Sequence, residues 1–283
     1  MRKLTIGFVG LGLIGGSIAK ALRQHYKDCK IIVYNRSENS RYAAVSDGVA
    51  NVACDKVDER FCECDYIFLC TPVEQNVTYL SILKDIIKDD CIITDVGSVK
   101  GNIHSAVEKI GLTKNFIGGH PMTGKEKVSY FNSEASLMEN AFYVLTPTDD
   151  VDPAKSDELK SIVETIGSKP VVMDYAKHDH VVAGISHLPH LIAANLVNLI
   201  KDTDDEEGYM KMLAAGGFKD ITRIASSSSD MWEQICAVNT ENIVELLDAY
   251  IEKLNETRAA LVEGKQNYVY DLFTESREYR SLF

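Results

Sequence analysis

Prolines, basic residues and long apolar runs are all scarce in this chain, and each shortage excludes a class of protein. Six prolines among 283 residues leave no proline-rich linker that would announce a further domain. No apolar run approaches the roughly 20 residues that a membrane-spanning helix needs, so we expect no membrane partner. Lysine and arginine number 30 against 42 acidic residues, and the resulting net charge of -12 argues against a nucleic-acid partner.

Paired cysteines are also lacking. The seven cysteines are odd in number and form no C-x-x-C motif. Several of them, such as Cys70, lie within apolar strand-like runs, which is typical of reduced and buried thiols. The N-terminus enters such a run directly and lacks the cleavage site of a signal peptide. We therefore expect a cytoplasmic protein.

Two kinds of hydrophobic pattern divide the chain. The predicted strands alternate with helical patterns and span residues 4–9, 30–34, 65–71, 91–96, 116–118, 142–146 and 170–174. A helix over residues 154–166 lies between the last two strands, and from residue 175 the pattern is helical, including one amphipathic helix from 232 to about 262. This order predicts an α/β fold: a Rossmann-like, doubly wound domain over residues 1–174, followed by an all-α domain over residues 175–283.

A glycine fingerprint, Gly10-Leu11-Gly12-Leu13-Ile14-Gly15, follows the first predicted strand and opens a helix. In dinucleotide-binding folds these glycines permit a tight turn, close approach to a pyrophosphate and close packing of the helix on the sheet. The predicted cofactor site therefore contains Gly10, Gly12, Leu13, Ile14 and Gly15, with Thr71 and Pro72 from the end of a later strand.

The second predicted strand ends in Asn35-Arg36-Ser37, where NAD-preferring proteins place a carboxylate that binds the ribose 2′-hydroxyl. Without this carboxylate a 2′-phosphate is not repelled, and Arg36 can pair with it. These residues favour NADP over NAD as the cofactor. An Arg36 that lies on the adenine or in solvent is the alternative interpretation.

A histidine and a serine follow two neighbouring strands. Gly118-Gly119-His120-Pro121 comes after one strand, and Asp95-Val96-Gly97-Ser98 ends another. Ligands bind at the carboxyl ends of such strands, and histidine is the side chain best suited to remove a proton near neutral pH. An alcohol that gives up a hydride also loses its hydroxyl proton. The predicted base is His120, and Ser98 is predicted to orient the hydroxyl.

Several histidines begin the helical half. His180, His187 and His190 could share a helical face and bind a metal. However, hydride transfer needs no ion, and Pro189 would bend the helix and disturb the ligand geometry, so we predict no metal. His190 is interpreted as a donor to substrate, and His178-Asp179 as a local structural pair.

Two cations lie close together further along. Lys219 and Arg223 are separated by one helical turn, where like charges repel each other unless an anion lies between them. Arginine fits a carboxylate through two parallel hydrogen bonds. We predict that both cations lie at a buried edge and bind an acidic substrate, while a solvated helix face is the alternative.

In these blocks the chain resembles the prephenate/arogenate dehydrogenase family of tyrosine biosynthesis over nearly its whole length. The matching blocks occur in the family's order at residues 10–17, 95–100, 119–121, 186–190 and 217–223. The resemblance implies oxidative decarboxylation of prephenate to 4-hydroxyphenylpyruvate, with hydride transfer to NAD(P). It further implies that His120 binds the substrate hydroxyl as the catalytic histidine and that Ser98 orients it. On the same basis, a small dianionic substrate is bound by His190, Lys219 and Arg223, and the helical domain forms a homodimer.

The segment Gly124-Lys125-Glu126-Lys127 departs from the family pattern, because many relatives have a small hydroxyl residue before the glutamate. We include Lys125 and Glu126 among the predicted substrate-binding residues. Arogenate carries an ammonium where prephenate has a keto group, so a Glu126 neutralised by a neighbouring lysine would not attract arogenate. The sequence therefore favours prephenate over arogenate.

Two other functions fit parts of the sequence. A β-hydroxyacid dehydrogenase or imine reductase shares the domain order but uses a lysine of the helical half as proton donor, so Lys219 would then matter more than His120. A NADP-sensing regulator would keep the cofactor fold without catalysis. The presence of Ser98, His120 and Arg223 together favours an enzyme. The chain ends soon after the predicted helices, so we expect no appended regulatory domain.

Overall fold

The computed structural model describes residues 3–125 and 127–283. The chain forms two compact units that meet after Val182. The fold class predicted from the sequence, a Rossmann-like domain followed by helices, is confirmed. The first unit extends to residue 182 because the helix after the last strand packs against elements of that unit. The domain boundary at residue 174 stays a prediction.

The core of the first unit is a five-stranded parallel sheet. Its strands are β1 (Thr5–Val9), β2 (Lys30–Tyr34), β3 (Val52–Cys54), β4 (Tyr66–Leu69) and β5 (Ile92–Asp95), in the order β3-β2-β1-β4-β5. Alternate residues of β4 point to opposite faces, so Tyr66 and Phe68 join one hydrophobic cluster and Ile67 and Leu69 the other. Both faces are covered, which explains why the strands read as nearly continuous apolar runs.

Three helices connect strands of this sheet: α1 (Leu13–His25), α2 (Glu38–Ser46) and α3 (Val73–Lys84). A fourth helix, α4 (Gly101–Ile110), follows β5 and leads out of the sheet. The order of the strands reverses between β1 and β4, because β1 pairs with β2 on one side and with β4 on the other. In such sheets the crevice at the carboxyl ends of the two central strands binds ligands. The fold therefore places the loops after β1 and β4 where a nucleotide binds.

A second, three-stranded sheet continues the first unit. It contains β6 (Ile117–Pro121), β7 (Phe142–Pro147) and β8 (Lys169–Val172). An isolated parallel bridge between Ile93 and Phe116 places β6 next to β5. The β6–β7 pair is antiparallel, and the described residues between the two strands form short 3-10 turns and no α-helix, so the chain can reverse direction there. The parallel pair β7–β8 is connected by α5 (Pro153–Thr165), as parallel crossovers require.

The first unit ends with α6 (Tyr175–Val182), which packs against α4 and β7. The second unit opens with a π-helical turn, Ala183–His187. It continues with α7 (Leu188–Thr203), α8 (Tyr209–Leu213), α9 (Gly216–Thr222), α10 (Ser229–Val238), α11 (Thr240–Val262) and α12 (Gln266–Arg280).

Three elements differ from the predictions. The strand β3 was not predicted, since it has only three residues and is partly exposed. The single amphipathic helix predicted over residues 232–262 is two helices, because Asn239 has non-helical dihedral angles and turns its buried side chain to His187. The helix α12 was also missed. Its described side chains are all at least partly exposed, so it lacks the buried stripe from which amphipathic helices are predicted.

Candidate active site

The glycine fingerprint forms the turn between β1 and α1. Gly10 has a φ of +94°, and a Cβ at this position would lie 2.7 Å from the Thr71 Cγ2 atom, so a larger residue would be strained and crowded. By contrast, a Cβ on Gly12 would meet nothing within 4 Å. The open space at Gly12 is what a pyrophosphate needs in order to approach the backbone.

The start of α1 is suited to an anion. Its first turn contains no acidic residue, and no side chain caps it, so its backbone N–H groups and the positive end of the helix dipole face the open loop. Leu13 is buried and Ile14 partly buried, so these residues would reach a phosphate through their backbone. Thr71 is half-buried, whereas Pro72 is exposed, and both follow β4 at the same edge of the sheet. These residues fit a dinucleotide.

The segment after β2 is held in place by hydrogen bonds of its own. The Leu11 backbone N–H donates to Asn35 Oδ1 at 3.1 Å, and Arg41 Nη1 donates to the Asn35 carbonyl at 2.6 Å. Ser37 caps α2 by accepting from the Ser40 N–H. Asn35 thus shapes the glycine loop, while the exposed Arg36 is left to meet solvent or a phosphate.

A buried ion pair joins β5 to β6. Both side chains, Asp95 and Lys100, have no exposed surface and form a short salt bridge. Lys100 Nζ also donates to the Gly119 carbonyl at 2.8 Å, and the Gly119 N–H donates to Asp95 Oδ1 at 3.1 Å. Burial lowers the pKa of Lys100, while the Asp95 carboxylate opposes that shift. This network fixes the half-buried loop that carries Ser98 beside the strand that carries His120.

His120 is the first member of a chain of hydrogen bonds. Its Nδ1 atom lies 2.9 Å from His178 Nε2, and the His178 Nδ1 atom lies 2.8 Å from Asp179 Oδ1. The Asp179 carboxylate also accepts from the backbone N–H of Lys100 at 2.8 Å and of Gly101 at 2.7 Å. The pair His178-Asp179, interpreted from the sequence as structural, therefore connects to the predicted base.

Another histidine of the first unit, His104, is kept out of proton transfer by burial. Its Nε2 atom lies 2.8 Å from Thr146 Oγ1, and its ring stacks on Tyr175 at 4.5 Å. Burial lowers the pKa of His104 to about 4, so it is neutral near pH 7. This side chain serves the packing of α4.

In the second unit, His190 belongs to an aromatic cluster. Its ring stacks on Trp232 with centroids 4.1 Å apart, and His187 meets the same indole edge to face. The His190 Nδ1 atom donates to the Ser186 carbonyl at 2.7 Å, since a carbonyl can only accept. A neutral His190 therefore offers an acceptor at Nε2, and the predicted donation to substrate from Nε2 requires the imidazolium.

Lys219 lies in α9, and Arg223 directly follows this helix. Both side chains are exposed, so the predicted buried edge is not found in the single chain. Among the described residues neither side chain has a salt-bridge partner, so both charges are available to an anion. This availability agrees with substrate binding but does not select it over a solvated helix face.

Lys125 forms a salt bridge with Glu134, and this contact lowers the pKa of the Glu134 carboxyl. The predicted residue Glu126 lies outside the described residues. Lys125 thus has a carboxylate partner other than the one expected from the sequence. The neutralisation of Glu126 by Lys125 or Lys127 stays a prediction.

Sequence reasoning missed the supporting residues Asp95, Lys100, His178 and Asp179 as parts of the site. A signal was present for the first two, because charged residues at the ends of apolar strands are rarely buried without a partner. For the other two the sequence shows only adjacent residues. Their link to His120 joins positions 58 apart in the chain.

Comparisons with known proteins show the family of this chain. The model of the family described as "Prephenate dehydrogenase, nucleotide-binding domain" matches residues 18–172. The model described as "Prephenate dehydrogenase, dimerization domain" matches residues 174–275. The first match begins after the glycine fingerprint, so the assignment of that loop rests on its own geometry.

Individual relatives match along nearly the whole chain. A prephenate dehydrogenase from Bacillus subtilis is 35% identical over 98% of this chain and 76% of its own length. The crystal structure of prephenate dehydrogenase from Aquifex aeolicus, in complex with hydroxyphenyl propionate and NAD+, superposes with a TM-score of 0.91 at 32% identity, covering 99% of this chain and 98% of that one. The crystal structure of Synechocystis arogenate dehydrogenase superposes with a TM-score of 0.90 at 30% identity, covering 98% of this chain and 99% of that one.

Proposed function

Since the chain belongs to the prephenate dehydrogenase family, we propose that it is an NAD(P)-dependent enzyme that oxidatively decarboxylates prephenate to 4-hydroxyphenylpyruvate. The observation that carries this proposal is the placement of two features in one unit. The glycine loop lies at the strand-order reversal, and His120 lies on the strand beside β5 at the same edge of the sheet.

A nicotinamide held by the glycine loop would supply the hydride acceptor for the ring carbon that carries the hydroxyl. His120 takes the hydroxyl proton, and Ser98 hydrogen-bonds the hydroxyl oxygen and orients it. The bond to the ring carboxylate breaks, its electron pair completes the aromatic ring, and carbon dioxide leaves. His120 then returns its proton to the phenolate oxygen, which gives the hydroxyl of the product. Positioning the hydroxyl against a fixed base contributes to the rate because the base is already oriented when the substrate binds.

Fixed positive charges are required to bind a dianion in so acidic a chain. We propose that Arg223 forms a paired contact with a substrate carboxylate and that Lys219 and a protonated His190 supply further donors. The proposal is supported by the absence of salt-bridge partners for Lys219 and Arg223 within the described residues. Glu126 and Lys125 remain proposed contributors to the choice between prephenate and arogenate. The Lys125–Glu134 pair weakens the argument for prephenate.

For the cofactor, we propose a preference for NADP over NAD. The three residues directly after β2, Asn35, Arg36 and Ser37, include no carboxylate, although Glu38 lies in the first turn of α2. Arg36 is exposed beside the N-terminus of α2, where backbone N–H groups also favour an anion. Asn35 is engaged with Leu11 and so does not replace the ribose-binding carboxylate. The relative from Aquifex aeolicus was solved with NAD+, so both nucleotides belong in the test.

An absorbance assay for reduced nicotinamide, crossing prephenate and arogenate with NAD and NADP, tests these proposals together. We expect turnover of prephenate, with kcat/KM higher for NADP by about tenfold, since a paired phosphate contact contributes about 1.5–3 kcal/mol and Arg36 is exposed. Faster turnover of arogenate would overturn the substrate choice. If neither acid yields reduced cofactor under any pairing, the proposed function fails.

Replacing Arg223 with leucine is expected to raise KM for prephenate about a hundredfold while kcat changes little. The reason is that a charge-assisted carboxylate contact formed equally in the ground and transition states contributes about 2–3 kcal/mol to binding. Steady-state kinetics at fixed saturating cofactor would measure this effect. Lys211→Leu, which removes an exposed cation from the neighbouring α8, serves as the matched control. Equal effects of the two substitutions on KM would show that Arg223 acts as a general surface charge and makes no specific contact with the substrate.

We also propose that the second unit forms a homodimer in the cytoplasm, with no nucleic-acid or membrane partner. The model of the family's dimerization domain matches residues 174–275, which include most of this unit. The helices α11 and α12 expose apolar side chains including Leu254, Leu261, Tyr270 and Phe273. The helical run Tyr175–Thr203 is long and apolar enough to span a membrane by length and composition alone. In the single chain, 22% of its most apolar 18-residue stretch is buried. A partner subunit would cover such surfaces.

A further inference from the structure

The geometry assigns a catalytic support role to His178 and Asp179: we propose that they fix the ring of His120 and stabilise the positive charge that forms there. This proposal rests on the proposed function, since it concerns the same proton transfer. The residues form one continuous chain of contacts, His120 to His178 at 2.9 Å and His178 to Asp179 at 2.8 Å. His178 and Asp179 do not touch the reacting atoms and are positioning residues.

The contacts determine which nitrogen atoms carry protons. An ionised carboxylate can only accept, so His178 Nδ1 must donate to Asp179. A neutral His178 then has its lone pair on Nε2, and His120 Nδ1 must donate to it. In neutral His120 the remaining nitrogen, Nε2, carries the lone pair. The chain of contacts thus selects the tautomer of His120 that can accept a substrate proton at Nε2.

The same contacts favour His120 after it accepts the proton. The O–H bond of the substrate breaks, an N–H bond forms at Nε2, and the imidazolium donates more strongly from Nδ1 to His178. The His178 and Asp179 residues are 1% and 4% exposed, so their interactions with the new charge are weakly screened by water. No second proton transfer is needed, because orientation and charge stabilisation suffice in comparable catalytic chains.

Asp179 is anchored so that it remains an acceptor. Its two carboxylate oxygens accept the backbone N–H groups of Lys100 and Gly101 at the start of α4, and Oδ1 is also the atom that His178 Nδ1 contacts. These contacts also tie α6 to the loop that carries Ser98. The Asp179 carboxylate therefore positions both predicted catalytic residues. It contacts the α4 N-terminus, which follows the loop that carries Ser98, and it contacts His178, which lies against His120.

Other ionisable groups surround this chain of contacts and bear on its pH dependence. The buried pair Asp95 and Lys100 lies on the β5 side. His104 lies on α4 near this buried pair, and Asp174 lies in the turn before α6. The first two cancel each other's charge, and the pKa of His104 is held near 4 by burial. Replacing His178 changes none of these groups directly.

Two substitutions at one position, measured in the full chain, test the proposal. His178→Gln can still offer an oxygen to His120 but ends the connection to Asp179, and His178→Leu removes both contacts. We expect kcat to fall about 10- to 100-fold for glutamine, as for other supporting hydrogen bonds, and further for leucine, with little change in KM. Because the cation on His120 is less stabilised, the acid limb of the kcat profile should move to lower pH.

The buried His104 provides the matched control. His104→Gln also removes a buried histidine with a hydrogen bond of its own, and it should lower stability without moving the acid limb. A merely structural role for His178 would give the same outcome for both positions. Unchanged kcat and an unmoved acid limb in both His178 variants would overturn the proposal.

A measurement without substrate separates this proposal from the proposed function. In nitrogen-15 NMR spectra of the labelled wild-type protein, we expect neutral His120 and His178 as Nδ1–H tautomers, assigned by loss of each signal in His120→Asn and His178→Gln. Protonation of neutral His120 at Nε2 would overturn the inference, even if prephenate is turned over. The expected tautomers without turnover of either acid would instead reject the proposed function and leave the hydrogen-bonded arrangement standing.

Discussion

Replacing His120 with asparagine is expected to lower kcat for prephenate about a thousandfold, with KM changed by no more than a few-fold. A positioned base contributes about 10²–10⁴ to a rate, and asparagine cannot take up the proton at neutral pH. Asparagine is the informative choice because its amide can still donate to His178 and so preserve the local packing. Single-turnover measurement of reduced cofactor would isolate the chemical step from product release.

His25→Asn is the matched control for this substitution, since it makes the same chemical change at an exposed position at the end of α1. Cofactor affinity, followed by fluorescence of the bound reduced nucleotide, should be unchanged in both variants. A kcat of His120→Asn within tenfold of the wild type would remove His120 from the role of base. A larger loss in Lys219→Met than in His120→Asn would favour the β-hydroxyacid dehydrogenase type of reaction.

Lys100→Met is expected to destabilise the protein by about 3–5 kcal/mol, the usual result of removing one partner from a buried salt bridge. The Asp95 carboxylate would remain fully buried, and among the described residues the backbone N–H groups of Gly97 and Gly119 would be left to solvate it. The Gly119 carbonyl would also lose its lysine donor. Denaturant unfolding followed by far-UV circular dichroism should show a lower midpoint.

A double variant and a surface pair sharpen this measurement. Asp95→Asn combined with Lys100→Met should recover part of the lost stability, because no unpaired charge is then buried. Lys253→Met breaks the exposed pair of α11, Lys253 and Glu256, and should change the midpoint little. The fluorescence of Trp232 reports on the second unit alone. Equal midpoints for Lys100→Met and Lys253→Met would show that the buried pair does not stabilise the fold.

Local patterns were enough to predict most elements of this fold. Each strand predicted in the first domain is present, because a strand that is covered on both faces has to be apolar along its whole length. The glycine turn could also be predicted from the sequence, because the positive φ of Gly10 limits the residue types that fit at this position. Where the sequence lacked a one-sided or continuous apolar pattern, as in α12, the prediction failed.

The sequence by itself determined the residue types of the candidate site: a histidine and a serine after strands, a glycine loop, and two cations one turn apart. Only the tertiary structure decided how they are supported. It paired Asp95 with Lys100, gave Lys125 a partner in Glu134, and connected His178-Asp179 to His120. Such contacts join distant parts of the chain, and their hydrogen-bond geometry depends on how strands and helices pack, which no local pattern of residues encodes.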